Sequence, residues 1–509
     1  MKSKIIQNTI VAKGKGERTM TSPVKVKIKG TSQVLSAVLI ILLFTGCALV
    51  GPDYTREEPD APQAWHSDLA GGLHAEKTTP ETLAHWWATL NDDELNSLIG
   101  RAVQTNLDLK NAQARVREAR ALRGISQSSL FPTLDGVASI SKYRSSENGI
   151  TERGGEHDLY AAGFDADWEL DIFGGTRRLV EASQADLEAS QENLHDVLVS
   201  LMAEVALNYV ELRTYQTRLI QTRANIKSQQ HTYELNQSRF EAGIIHELPV
   251  QQSLYNLERT RSHISTLQIG LAAAKNRLAV LLGQRPGSLA EEFSKEIAIP
   301  VVPPTVAVGV PAETLRHRPD IRRAERNLAA QTARIGVATA DLYPKFHLFG
   351  TIGLESLSSD NFFDSASHLW RIGPGISWNI FHGGAIRQNI EVQNARQEQA
   401  MISYEMTLLK ALEDVENALV AYVREQLRME SLRAATAAAK SAALLAEDQF
   451  QAGLVDFSNV LDAQRAQINF EDELAQSEGT VTANLIRLYK ALGGGWVSEV
   501  KEQESTVQE

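Results

Sequence analysis

The chain has 509 residues, a formal net charge of −12 and a single cysteine, Cys47. That length allows two or three domains. The acidic balance argues against nucleic acid as a partner, and one cysteine excludes a disulfide framework. Aromatic residues are only 6% of the total. Ala, Leu, Gln, Glu and Arg fill long stretches free of Gly and Pro, which selects long helices over a compact globule.

Lys13, Lys15, Arg18, Lys25, Lys27 and Lys29 precede an apolar run from Val34 to Phe44. This run is too short to span a bilayer, which needs about 20 residues. It has the layout of an export signal. Phe44-Thr45-Gly46-Cys47 resembles a bacterial lipobox, which implies cleavage after residue 46 and acylation of Cys47. Acyl chains contribute roughly 0.8 kcal/mol per buried methylene, enough to hold a triacylated protein at a bilayer. Ala48, not Asp, follows the cysteine, which in such lipoproteins accords with passage to the outer membrane. Removing residues 1–46 removes eight basic residues and Glu17, taking the formal charge from −12 to −19.

The mature chain predicts two halves with one plan, 91–285 and 313–495. A segment 47–90 precedes them, a proline-rich linker 286–312 joins them, and a tail 496–509 follows. At a constant offset of 210, Phe240 matches Phe450, Ala242-Gly243 matches Ala452-Gly453, and Leu282-Gly283 matches Leu492-Gly493. Trp168 and Trp378 share that offset. Each half reads as two strands (133–144 and 159–173, then 346–356 and 369–381), a very long helix (176–241, then 385–451) and a return helix.

Within the strands, Phe164, Ala166, Trp168, Leu170 and Ile172 alternate with Asp165, Asp167, Glu169 and Asp171. Trp370, Ile372, Pro374, Ile376, Trp378 and Ile380 alternate with Arg371, Gly373, Gly375, Ser377 and Asn379. Period two puts the apolar set on one face. The acidic opposite face suits an aqueous lumen, and the lengths suit a bilayer crossing. Four strands cannot close a barrel, and an open edge in lipid leaves backbone groups unpaired. Three copies, giving twelve strands, are the simplest closed assembly. Pro374 suggests a kink where the barrel narrows. Leu194, Leu198, Leu201, Val205, Asn208, Leu212, Tyr215 and Leu219 keep a 4,3 rhythm, as do Leu408, Leu412, Val415, Leu419 and Tyr422. Both are coiled-coil seams.

Four segments carry a family resemblance: Cys47-Ala48-Leu49-Val50-Gly51-Pro52-Asp53-Tyr54; Trp86-Trp87 before Asp92-Asp93-Glu94-Leu95; Arg318-Pro319-Asp320-Ile321-Arg322-Arg323-Ala324-Glu325; and the Phe-Gly pairs at 173–175 and 381–384. From Cys47 to about Gly495 the chain resembles the TolC/OprM-like outer membrane factors, in particular their NodT-type lipoprotein branch. The resemblance implies a mainly α protein with a membrane β-barrel. Its homotrimer would close a 12-stranded outer-membrane barrel continuous with a 12-helix periplasmic tunnel. It implies a passive exit duct for drugs, toxic compounds or metals, served by a periplasmic adaptor and an inner-membrane pump of the resistance-nodulation-division (RND) class.

On this resemblance the hairpin tips, Gly243, Ile244, Ile245 and Gly453, Leu454, Val455, meet the adaptor. Asp462 matches the acid that narrows the tunnel mouth in relatives. The neighbouring position is Asn459, beside Ser458, and Asp456 is a further candidate for the gate. His66, His74, His85 and His382 are scattered, no metal spacing stands out, and no catalytic constellation or cofactor is expected beyond the lipid on Cys47. Two other readings stay open: an exit port for protein secretion, and a lipid-anchored coiled-coil tether without a pore.

Overall fold

The computed structural model describes residues 49–56, 61–76, 79–144, 146 and 155–496. Cys47, the signal segment 1–46 and residues 497–509 of the tail lie outside the described residues.

In chain order the elements are β1 (Leu73–His74), α1 (Pro80–Ala84), α2 (Asp93–Thr105), α3 (Leu107–Ser128), β2 (Thr133–Arg144), β3 (Glu156–Leu170), α4 (Gly175–Glu241), α5 (Glu247–Leu281), β4 (Val306–Ala307), α6 (Pro311–His317), α7 (Pro319–Ala340), β5 (Lys345–Ser356), β6 (His368–Ser377), α8 (Ala385–Gln451) and α9 (Phe457–Ala491). Helices α4 and α8 each hold 67 residues, starting 210 positions apart (175 against 385), and α5 and α9 each hold 35. At 1.5 Å per residue the long helices reach about 100 Å. No helix among the described residues is long and apolar enough to cross a membrane. The expected strand-strand-helix-helix plan omitted α2, α3, α6 and α7, which precede the strands. The predicted linker 286–312 carries β4, which pairs in parallel with β1.

Strands β2-β3-β5-β6, in that order, form one antiparallel sheet. Cross-strand partners share a face. The pairs Asp135–Asp165, Thr133–Asp167 and Glu169–His347 therefore lie on the polar side, with Thr351 and Arg371. Leu134, Ile140, Phe164, Trp168, Leu348, Ile352, Trp370, Ile372 and Ile376 share the other. The apolar side chains stand out in the open: Ile140 is 78% exposed, Trp370 76% and Ile372 68%. Strands β2 and β6 are the two edges, each paired on one side only among the described residues.

Two strand ends differ from expectation. Strand β3 stops at Leu170, so Asp171 is not a fourth lumenal acid. Its carboxylate turns to accept the backbone N–H groups of Thr176 at 3.0 Å and Arg177 at 2.9 Å. Free N–H groups at a helix start draw a carboxylate strongly. Strand β6 stops at Ser377 rather than near 381. Just beyond it, Trp378 donates its indole N–H to the Leu342 carbonyl at 3.0 Å. Trp168 does the same to Leu130 at 3.0 Å. Pro374 lies within edge strand β6 opposite Leu348, where a missing N–H is tolerated.

The predicted seams are largely buried, with Leu201, Val205, Leu212 and Leu219 on α4 and Val415, Leu419 and Tyr422 on α8. All but Leu219 join Trp86, Leu95, Leu98, Leu278, Leu485 and Leu488 in one core midway along the long helices.

At mid-sheet Gly163 faces Gly353. A Cβ on Gly163 would lie 2.6 Å from the Ile352 carbonyl oxygen and 2.9 Å from the Gly353 Cα. Gly163→Val should force the strands apart and destabilise the sheet by about 1–3 kcal/mol. A Cβ on Gly136 would meet only the Phe164 ring at 3.8 Å, so Gly136→Val should change little. Thermal unfolding in detergent compares the two.

Candidate functional site

The duct wall follows from the sheet. Asp135, Asp165, Asp167 and Glu169 lie toward the helical end of its polar face. Thr351 donates its hydroxyl to Asp165 at 2.8 Å, and His347 Nδ1 lies 3.5 Å from Asp167. Such a face holds hydrated cations near it and lipid away from it.

Below the sheet, the N-terminal segment is clasped to the strand-to-helix junction. Arg178, on α4, is buried. It donates to the Val50 carbonyl at 3.1 Å, the Gly51 carbonyl at 3.3 Å, Asp53 at 2.6 Å and Glu181 at 2.8 Å. The Val50 N–H donates to the Phe173 carbonyl at 3.2 Å. Tyr54 stacks on Arg326, with Arg326 Cζ 5.5 Å from its ring, and bonds Glu325 at 3.3 Å. The Val-Gly-Pro-Asp-Tyr segment is therefore a structural strap.

The Arg318-Pro319-Asp320 segment ties the start of α7 to the end of α9. Arg318 donates to the Ala491 carbonyl at 2.7 Å and grips both Asp320 oxygens at 3.0 and 2.7 Å. Burial works against a charged Asp320, but the hydrogen bonds from Arg318 outweigh it and hold its carboxyl below the usual aspartate range. Four further arginines of α7 then meet acids of α4: Arg322 with Glu192 at 2.7 Å, Arg323 with Asp196 at 2.8 Å, Arg326 with Glu188 at 3.3 Å, and Arg334 with Asp186. Burial pushes the Asp186 carboxyl up, against the pull of Arg334. This ladder had no sequence reading, because its two sides lie more than a hundred residues apart. Asp92 plays a similar part, capping α2 through the Leu95 N–H at 2.8 Å and accepting the Tyr209 hydroxyl at 2.8 Å.

The hairpin tips are built alike. Gly243 and Gly453 take φ values of 71° and 75°, which a side chain disfavours. The Ile244 N–H returns to the Arg239 carbonyl at 2.9 Å and the Leu454 N–H to Gln449 at 2.8 Å, the closure that ends a helix on a left-handed residue. Ile244 is 69% exposed and Leu454 74%, while Ile245 and Val455 are half-buried. Arg239 joins the tips, donating to the Gln451 carbonyl at 3.2 Å.

The three gate candidates all lie at the start of α9, exposed. Asp456 is the residue before the helix, Asn459 follows one turn on, and Asp462 is 78% exposed with Arg465 3.5 Å away. Arg465 also bonds the Tyr255 hydroxyl of α5.

An amphipathic sheet with two edges unpaired among the described residues, standing on two long helical hairpins, is the wall element of an outer-membrane channel protein. Comparison with known proteins agrees. The model of the family described as "Outer membrane efflux protein" matches residues 98–284 and 310–494. Nodulation protein T of Rhizobium leguminosarum bv. trifolii is 31% identical over 461 residues, covering 89% of this chain and 96% of that one. The toluene efflux pump outer membrane protein TtgF of Pseudomonas putida is 30% identical over 483 residues, covering 93% and 99%. Among solved structures, the outer-membrane channel OprN superposes with a TM-score of 0.82 at 36% identity, covering 89% of this chain and 100% of that one. The chain belongs to the outer membrane efflux protein family. Its place is the outer membrane and its work is efflux.

The Arg318–Asp320 grip gives a pH test. A carboxylate with a depressed native pKa stabilises the fold above its ordinary range, and that contribution disappears as pH falls through the native value. Asp320→Asn should therefore unfold at lower temperature than the parent at pH 7, with the gap closing once the pH is below the aspartate range. Paired thermal melts across pH 3 to 7 measure it.

Proposed function

We propose that three copies of this chain pool their sheets into a closed twelve-stranded barrel and their hairpins into a twelve-helix tunnel. This duct carries small molecules passively outward. The observation that supports this most is the sheet, with apolar and acidic faces and two unpaired edges. An isolated four-stranded sheet in lipid would leave both edges without partners at several kcal/mol per group. Joining β6 of one copy to β2 of the next removes every edge.

The two halves read as a duplication, since the matching long and return helices have equal lengths. Residues 1–46 are read as the signal and Cys47 as the acylated N-terminus. Leu49, two residues on, packs against Gly174 at the foot of the sheet, where the inner surface of the membrane would lie. The exposed tips Gly243-Ile244-Ile245 and Gly453-Leu454-Val455 offer apolar contacts to a periplasmic adaptor. Through it, an inner-membrane pump of the RND class supplies the energy. TtgF belongs to a toluene efflux pump, and we read the cargo here likewise as small molecules.

Asp462 is proposed as the gate acid, with Asn459 and Asp456 beside it. Threefold symmetry would set three carboxylates in a ring at the mouth, attracting cations. Protein purified from membranes in mild detergent should weigh three chains, each with an acylated Cys47, and conduct in planar bilayers. Asp462→Ala should raise single-channel conductance and weaken cation preference. A stable monomer would refute the shared barrel, and unchanged conductance and selectivity would refute the gate.

A further inference from the structure

The seam of the first hairpin changes character partway down. Above Leu219 it is apolar but for Asn208 and the Tyr215 hydroxyl. Below it, Thr222, Gln229 and Asn236 follow one another at seven-residue steps on α4, and all three are buried. Across the hairpin, α5 answers with buried Ser253, Asn256 and Thr260. A buried polar seam is stable only where its groups find partners. The hydroxyls of Thr222, Ser253 and Thr260 each donate to a carbonyl of their own helix and the Asn236 amide nitrogen reaches the Pro249 carbonyl at 3.5 Å, but the remaining amide groups of Gln229 and Asn236 do not find partners. Gln229 is 3% exposed, and neither its amide nitrogen nor its oxygen has a hydrogen-bond partner among the described residues. Asn236, fully buried, leaves its side-chain oxygen unpartnered as well. The second hairpin lacks this arrangement. Leu432, Ala439 and Ala446 stand 210 positions on from the three α4 residues.

A polar cavity of about 350 Å³ opens at the same level, between this hairpin and α9. Thr222, Asn256 and Thr260 belong to both its lining and the seam. It is roomy and polar enough to hold several waters. One unpartnered amide is a local defect. Two incompletely partnered amides a heptad apart, on the tip side of a polar cavity that Thr222, Asn256 and Thr260 line, make a zone less cohesive than the apolar seam above it.

We infer that residues 222–236 of α4, with the facing part of α5, form a hydrated, yielding zone above the tip. There the first hairpin bends when the periplasmic mouth widens, and Gln229 and Asn236 are its positioning residues. This rests on the duct reading above. An apolar seam resists bending, because opening it exposes hydrocarbon to water. A polar seam already hydrated exchanges one set of hydrogen bonds for another as it opens. Helices that forgo such cohesion at one level place their weakness where movement is needed.

The test uses the purified full-length protein, comparing the parent with the double variant Gln229→Met, Asn236→Leu. Both replacements keep side-chain volume and remove the amides. In the parent, amide hydrogen exchange at 222–236 should run at least tenfold faster than at 198–219. The double variant should exchange at least tenfold more slowly there and melt at a higher temperature. In planar bilayers it should open several-fold less often than the parent, at the same open conductance. Gln229→Asn, which keeps a buried amide, should behave like the parent. Equal parent exchange in the two segments would overturn the inference. So would a double variant that melts lower, or one that exchanges slowly yet opens as often as before. A parent that conducts in no preparation would instead refute the duct, leaving the exchange comparison to decide the zone by itself.

Discussion

A β-sheet can face hydrocarbon on one side and water on the other only if every backbone hydrogen bond is made within protein. In lipid no solvent repairs a free edge. The sheet of this chain meets the first half of that condition and fails the second. Ile140, Ile352, Trp370 and Ile372 lie open on one face, while Asp165, Asp167 and Glu169 share the other. Yet β2 and β6 each lack a second neighbour among the described residues. Under the proposed closure with identical copies, the helices below the sheet would have to leave it at a fixed angle.

The equatorial contacts are what hold that angle. Asp171 caps the start of α4 directly beneath the sheet. Arg178, a turn further on, ties the strap to the same helix. The ladder from Arg322–Glu192 to Arg334–Asp186 then locks α7 along α4. Exposed ion pairs contribute little each. These pairs are partly buried and arranged along one helix face, so their value lies in fixing the axial position of α7, which leads into β5. An apolar contact of the same area would permit sliding, whereas a row of matched charges has one best register.

Much of this was legible in the residue pattern because membrane strands and heptad seams are periodic. The alternation at 164–170, the 4,3 spacing from Leu194 to Leu219 and the glycine at each hairpin tip all stand where expected. What escaped was non-periodic or long-range. Asp171 continues the alternation of its neighbours, and only the nearness of free helix N–H groups reveals it as a cap. Trp378 and Ile380 continue the apolar rhythm beyond Ser377, where the strand that should contain them ends. The motifs Val-Gly-Pro-Asp-Tyr and Arg-Pro-Asp-Ile were recognisable as words without a physical meaning. Their partners, Arg178 and Ala491, lie 125 or more positions away from the residues they hold.

Duplication gives a protein two hairpins of equal length, but a duct needs more than equal lengths. The matching helices diverge where chemistry meets packing. The first long helix starts under an aspartate cap, whereas position 381 in the second half is a phenylalanine, 90% exposed. The first seam turns polar below Leu219, and the second stays with leucine and alanine. Alanine seams let helices approach closely and rely on dispersion alone, while a polar seam depends on solvent for its cohesion. Two hairpins that share a backbone plan but not a seam are not mechanically equivalent, and in the proposed ring, where they would alternate, that difference distinguishes neighbouring helices without altering the proposed threefold closure.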